Sequence, residues 1–175
     1  MPYKSDENNS DKNNEVVEVF VEIPKGSRNK YEYDKVRRVF KYDRMLFSSV
    51  HYPSDYGYIP HTLAEDGDPL DALVLLGEPT FPGCLIDAKP VGLFKMWDEK
   101  GTDYKILCVP ISDPQWNWVN DLNDVPAHLL KEIEHFFQIY KELEEKKTGV
   151  EGWEDRSHAI KAIEDARQAY TGEDD

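Results

Sequence analysis

Asp66-Gly67-Asp68-Pro69-Leu70-Asp71 places three carboxylates within six residues. Gly67 and Pro69 break any helix there and bend the chain, so the acids crowd into a tight loop. Without a counter-charge they would repel one another strongly. Hard oxygen ligands in such a loop suit Mg²⁺, Mn²⁺ or Ca²⁺. A calcium EF-hand fails the count: from Asp66, position six is Asp71 where Gly is required, and position twelve is Gly77 where Glu is required. A solvated Asp-rich turn explains the hexapeptide equally well, because Asp and Gly favour turns for local reasons.

Other acids cluster elsewhere. Asp98, Glu99 and Asp103 surround Gly101 in a stretch expected to form a hairpin turn, and Glu22 and Glu32 fall on strands expected to pair. Between them lie Lys30, Arg44, Tyr52, Tyr56, Lys105, Tyr140 and Lys141, all able to donate hydrogen bonds to phosphate oxygens. Taken singly, each is an ordinary surface charge or core aromatic. His51, His61, His128 and His158 show no ligand spacing.

The 175-residue chain carries 35 Asp and Glu against 21 Lys and Arg, a net charge of −14. So acidic a protein repels nucleic-acid phosphates and anionic membranes and attracts cations. No run reaches the ~20 apolar residues of a membrane helix, and the N-terminus lacks the apolar stretch of a signal peptide. The expected location is the cytoplasm. Cys84 and Cys108 lie apart, each among apolar neighbours, and read as reduced core thiols.

The elements that must position these groups follow from periodicity. Residues 1–14 are polar and Asn-rich and are expected to form a disordered tail; residues 15–175 are expected to form a single domain. Val17, Val19, Val21 and Ile23 alternate with Glu18, Phe20 and Glu22 as in a strand. Further short strands are expected at 31–34, 36–42, 58–59, 73–76, 86–94 and 104–109, a number and length that suggest a small closed barrel. Leu129, Leu130, Ile133, Phe136, Phe137, Tyr140 and Leu143 recur at three and four, predicting an amphipathic helix from Pro126 to near Gly149. A second helix carries Ala159, Ile163, Ala166 and Tyr170 on one face.

The segment EDGDPLDALVL resembles the signature of the family I soluble inorganic pyrophosphatases of bacterial type. VEIPKGSRNKYEYDK, Asp43-Arg44, YPSDYGYIPHT, KPVGLFKMWDEKGTDYK and HFFQIYKELE resemble further family blocks in the same order. The resemblance implies a mainly β fold with α: a five-stranded closed, OB-like β-barrel flanked by two C-terminal helices. It implies hydrolysis of pyrophosphate to two phosphates with several Mg²⁺ ions per subunit, Mn²⁺ or other divalent ions being alternatives. Asp66, Asp71 and Asp103 would hold one metal, and Asp71 a second, with the water between them as nucleophile and Asp68 as general base. Asp98 and Asp103 would hold a metal arriving with substrate, and Glu32 would serve another. Tyr56 would support the aspartates, with Tyr52 nearby; Glu22, Glu99 and Lys105 would tune the cluster. Lys30, Arg44, Tyr140 and Lys141 would grip the phosphates. The resemblance also implies a homo-oligomer, a hexamer, with His135 on its subunit-contact helix. Asp87 and Lys89 stand where relatives often carry arginines, which leaves an accessory anion site there open. The competing reading is a catalytically inactive, acidic relative that binds divalent cations.

Overall fold

The computed structural model describes residues 15–172; the tail expected at 1–14 lies outside the described residues. Among the described residues nine strands and two α-helices follow one another: β1 Val17–Ile23, β2 Asn29–Asp34, β3 Val39–Met45, β4 Asp55–Tyr58, β5 Asp71–Val74, β6 Leu85–Asp98, β7 Gly101–Thr102, β8 Lys105–Pro110, α1 Ala127–Ile139, β9 Gly149–Glu154 and α2 Arg156–Ala169. No helix among the described residues is long and apolar enough to cross a membrane.

Five strands close on themselves. β1 pairs with β4, β4 with β5, β5 with β8, β8 with β6, and β6 returns to β1. Only β5 and β8 run parallel. The ring therefore leaves none of these strands as a full free edge. β6 spans 14 residues, which lets one strand serve β1, β8, the hairpin partner β7, and β9. The mainly β ring flanked by two helices agrees with the sequence expectation.

Helices cover the sheet from two directions, so β5 and β8 are apolar on both sides and read as continuous runs rather than alternating ones. Leu73, Leu107 and Val109 pack with Ile133, Phe136 and Phe137 of α1. Their neighbours Ala72, Val74, Ile106 and Cys108 pack with Ala159, Ile163 and Ala166 of α2. β1 alternates as expected, with Val17, Val19, Val21 and Ile23 buried. Asp55 is fully buried and ties two loops to β4, accepting hydrogen bonds from Lys25 N (2.8 Å), Thr80 N (3.1 Å) and Thr80 Oγ1 (2.5 Å).

Several expectations need correction: the strand expected at 58–59 is β4 at Asp55–Tyr58, and Tyr170 lies just past α2, which ends at Ala169. β2 and β3 form a separate two-stranded sheet, so Glu22 and Glu32 do not sit on paired strands. Their residues still meet, because the Tyr33 N–H donates to Glu22 Oε2 (2.9 Å) and Phe20 packs against Tyr33 and Phe40. The third strand begins at Val39, since 35–38 form the hairpin turn and Val36 is exposed. α1 stops at Ile139 instead of near Gly149; the chain then makes a single 3₁₀ turn at Glu142–Glu144, closed by left-handed Glu145, and leaves Leu143 exposed. Cys108 is buried, but Cys84 is only half-buried; both are free thiols.

Candidate active site

The open end of the ring, the β2–β3 hairpin and the end of α1 enclose a cleft of ≈ 730 Å³. All fifteen residues singled out above line it: Glu22, Lys30, Glu32, Arg44, Tyr52, Tyr56, Asp66, Asp68, Asp71, Asp98, Glu99, Asp103, Lys105, Tyr140 and Lys141. Asp87 and Lys89 lie elsewhere. Lys89 Nζ donates to Asn117 O and Asn120 Oδ1, both at 2.8 Å, at the surface.

The floor is built on the parallel β5–β8 pair, which sets Asp71 directly beside Lys105. Lys105 is buried and its Nζ donates to Tyr56 Oη (2.7 Å), Asp71 Oδ2 (3.0 Å) and Asp103 Oδ1 (3.1 Å). Tyr56 Oη donates in turn to Asp71 Oδ2 at 2.7 Å. Burial alone would push the Lys105 ammonium down, but Asp71 and Asp103 outweigh it and hold it above its ordinary value. Burial, then Asp71 and Asp103, push the Tyr56 phenol well up, so it stays a donor. One buried cation thus orients two carboxylates and a phenol.

The Asp66–Asp71 loop is a local construction. Gly67 takes φ +87, a left-handed conformation that suits glycine. The Asp68 N–H donates to Asp66 Oδ1 (3.0 Å), and the Asp68 carbonyl accepts from Ala64 N (2.8 Å). Burial and the charges of Asp68, Asp71 and Asp103 push the Asp66 carboxyl up. The Asp68 side chain is exposed to the cleft, and among the described residues it forms no hydrogen bond or ion pair.

Across the cleft the hairpin presents cations. Lys30 Nζ lies 3.0 Å from Glu32 Oε1 and 3.2 Å from Asp43 Oδ2, and Arg44 pairs with the same Asp43 oxygen. Lys141, just past α1, lies 3.6 Å from Asp98 Oδ2 and 3.9 Å from Glu99 Oε2. Tyr52 and Tyr140 are buried between this rim and Phe136. Glu22 is pushed up to about 7, chiefly by burial and then by Asp71 and Glu32, against the opposing Tyr33 hydrogen bond.

Among the described residues no three His, Cys, Asp or Glu side chains converge tightly enough, as they stand, to enclose an ion. The donor chemistry nevertheless fits divalent cations. Asp68, Asp71 and Asp103 each add like charge beside Asp66, and the four carboxylates together carry more charge than the single Lys105 ammonium balances. Asp43 and Glu144 drew no role from the sequence. Asp43 bridges Lys30 and Arg44, and Glu144 pairs with Arg44. Asp43 was legible as half of an Asp-Arg pair and Glu144 as the last residue of the block HFFQIYKELE, but neither was given a role.

A ring of five strands whose open end gathers carboxylates, cations and phenols in one cleft defines a small mainly β protein with a polar, two-signed site. The chain belongs to the inorganic pyrophosphatase family, whose model matches residues 19–171; these are the family I enzymes expected from the sequence. The inorganic pyrophosphatase of Methanosarcina mazei is 61% identical over 153 residues, covering 87% of this chain and 90% of its own. That of Halalkalibacterium halodurans is 56% identical, covering 90% and 96%. The crystal structure of inorganic pyrophosphatase from Thermus thermophilus superposes with a TM-score of 0.88 at 45% identity, covering 93% of this chain and 95% of that one.

Proposed function

We propose that the protein hydrolyses inorganic pyrophosphate to two phosphates with divalent metal ions, Mg²⁺ first among them. The observation that carries this reading is the joining of two charge sets in one cleft: the Asp66, Asp71, Asp98, Asp103 and Glu32 carboxylates, and the donors Lys30, Arg44, Tyr140 and Lys141, with Lys30 beside Glu32 and Lys141 beside Asp98. A dense anion would be repelled by the first set alone, whereas cations held there reverse its sign. When bound, the ions supply Lewis acidity, neutralising the substrate and making water more acidic.

The protein's own groups do the rest. Asp68, exposed to the cleft and with no side-chain partner among the described residues, is the general base. It takes a proton from water as the water oxygen bonds to one phosphorus and the P–O bond to the bridging oxygen breaks, with the electron pair leaving on the second phosphate. Lys30, Arg44, Tyr140 and Lys141 donate to the phosphate oxygens as charge shifts to the leaving group. Lys105, Tyr56 and Tyr52 hold the aspartates and the rim in place, and Glu22 and Glu99 set the charge around them. The same reading has the enzyme act in the cytoplasm as a homo-oligomer, a hexamer, in keeping with its two free thiols.

The test is phosphate release from pyrophosphate by the purified chain across Mg²⁺, Mn²⁺, Zn²⁺ and Ca²⁺, with chelator as control. Rapid release with Mg²⁺ and none with chelator is expected. Metal binding without turnover in every case would overturn the proposal.

A further inference from the structure

We infer that Glu144 is a positioning residue for the substrate: its carboxylate clamps one edge of the Arg44 guanidinium and so directs the remaining donors of Arg44 at the phosphates. The inference rests on the proposed role of Arg44 as a phosphate ligand.

The geometry is specific. The Glu144 carboxylate pairs with Arg44 Nε, and Arg44 Nη2 donates to Glu144 Oε2 at 3.3 Å. The two residues lie 100 positions apart, one on β3 and the other on the 3₁₀ turn after α1. The Glu144 side chain is 5% exposed and that of Arg44 18%. A carboxylate so enclosed requires a cation, because an unpaired buried charge is strongly unfavourable. Guanidinium offers five donors in a rigid plane, so the ion pair at Nε and the Nη2 hydrogen bond to Glu144 set that plane, and the Nη1 proton not given to Asp43 remains for the substrate.

Without Glu144, no other carboxylate among the described residues pairs with Arg44 against the pull of Asp43, which already holds one proton of Nη1. Arg44 would then fold toward Asp43 and away from the substrate. The turn that carries Glu144 is built for this aim. It starts at Lys141, another cleft cation, and closes through left-handed Glu145 (φ 59), whose N–H donates to Glu142 O at 3.3 Å. The clamp therefore ties the cations of the hairpin to those at the helix end.

A double-mutant cycle tests this. Steady-state hydrolysis of Mg²⁺–pyrophosphate is measured for the full chain, Glu144→Gln, Arg44→Ala and the double variant, each checked by thermal melting; Glu144→Asp enters the same cycle if Glu144→Gln does not fold. Glu144→Gln is expected to raise KM about tenfold, the scale of one charge-assisted contact, while kcat changes by less than about threefold. In the Arg44→Ala background the same substitution should change KM by less than about twofold, because residues acting through one another are non-additive. An unchanged KM in Glu144→Gln, or the same tenfold rise in both backgrounds, would overturn the inference. An inactive wild type would instead sink the proposed function, and a fully active Arg44→Ala the role of Arg44.

Discussion

Asp68 and Asp71 belong to one hexapeptide, yet their surroundings separate their tasks. Asp71 is fixed by Lys105 and Tyr56. Asp68 has neither partner and faces the cleft, which leaves its carboxylate available to receive a proton. Asp68→Asn is therefore expected to lower kcat by about 10²–10⁴-fold, the usual yield of a positioned general base. Its melting temperature should stay within a few degrees of wild type; full activity would remove Asp68 from the mechanism. Glu22 makes a second prediction. Its proton affinity is raised on folding, from 4.5 to about 7, so the native state binds the extra proton across that window. Stability then falls as pH rises from about 4.5 to 7, by about 3 kcal/mol in all. Urea unfolding in chelator should show this fall in wild type and lose it in Glu22→Gln. At this scale the sequence was informative wherever chemistry was local, as in the Asp66–Asp71 spacing. It was silent on Glu144, whose partner arrives from 100 residues away.

The strands that shape the cleft depend on close backbone approach. At Gly57 of β4 an added Cβ would sit 1.9 Å from the carbonyl oxygen of Phe20 on β1. That oxygen belongs to the ring's own β1–β4 ladder, where Val21 faces Gly57, so it cannot move without opening the pairing. Gly57→Ala is expected to cost about 3 kcal/mol or more, at the upper end for overpacking because backbone rather than a flexible side chain is struck. Chemical denaturation measures it; a loss below about 1 kcal/mol would show that the ring yields locally. Strands such as β1 were legible because one side is buried and alternation survives. β9 was not, since Gly149–Glu154 holds two glycines and finds its place only by pairing with β6. The overrun of α1 has a similar cause. The Glu- and Lys-rich stretch after Ile139 keeps helical composition, while the Arg44–Glu144 pair and left-handed Glu145 turn the chain into the cleft wall.

The whole molecule carries a net charge of −14, so copies repel one another at low salt. It nonetheless exposes Met45 (46%), Phe47 (56%), Phe81 (64%) and Leu85 (56%), large apolar side chains on the end of β3 and on the passage into β6. A single exposed apolar residue is ordinary, but four such side chains, two at the hairpin end and two around the start of β6, give a self-complementary assembly something to bury. Such an assembly works against its own charge, so screening should favour it. Light scattering is expected to give about six times the 20.3 kDa chain mass at physiological salt, with partial dissociation as ionic strength is lowered. Phe47→Glu adds charge where burial is required and should shift the mass toward smaller species. Since Phe47 is absent from the cleft lining, pyrophosphate hydrolysis per chain should persist in those species. A wild-type mass near that of one chain at every salt concentration would show that these side chains serve something other than self-assembly.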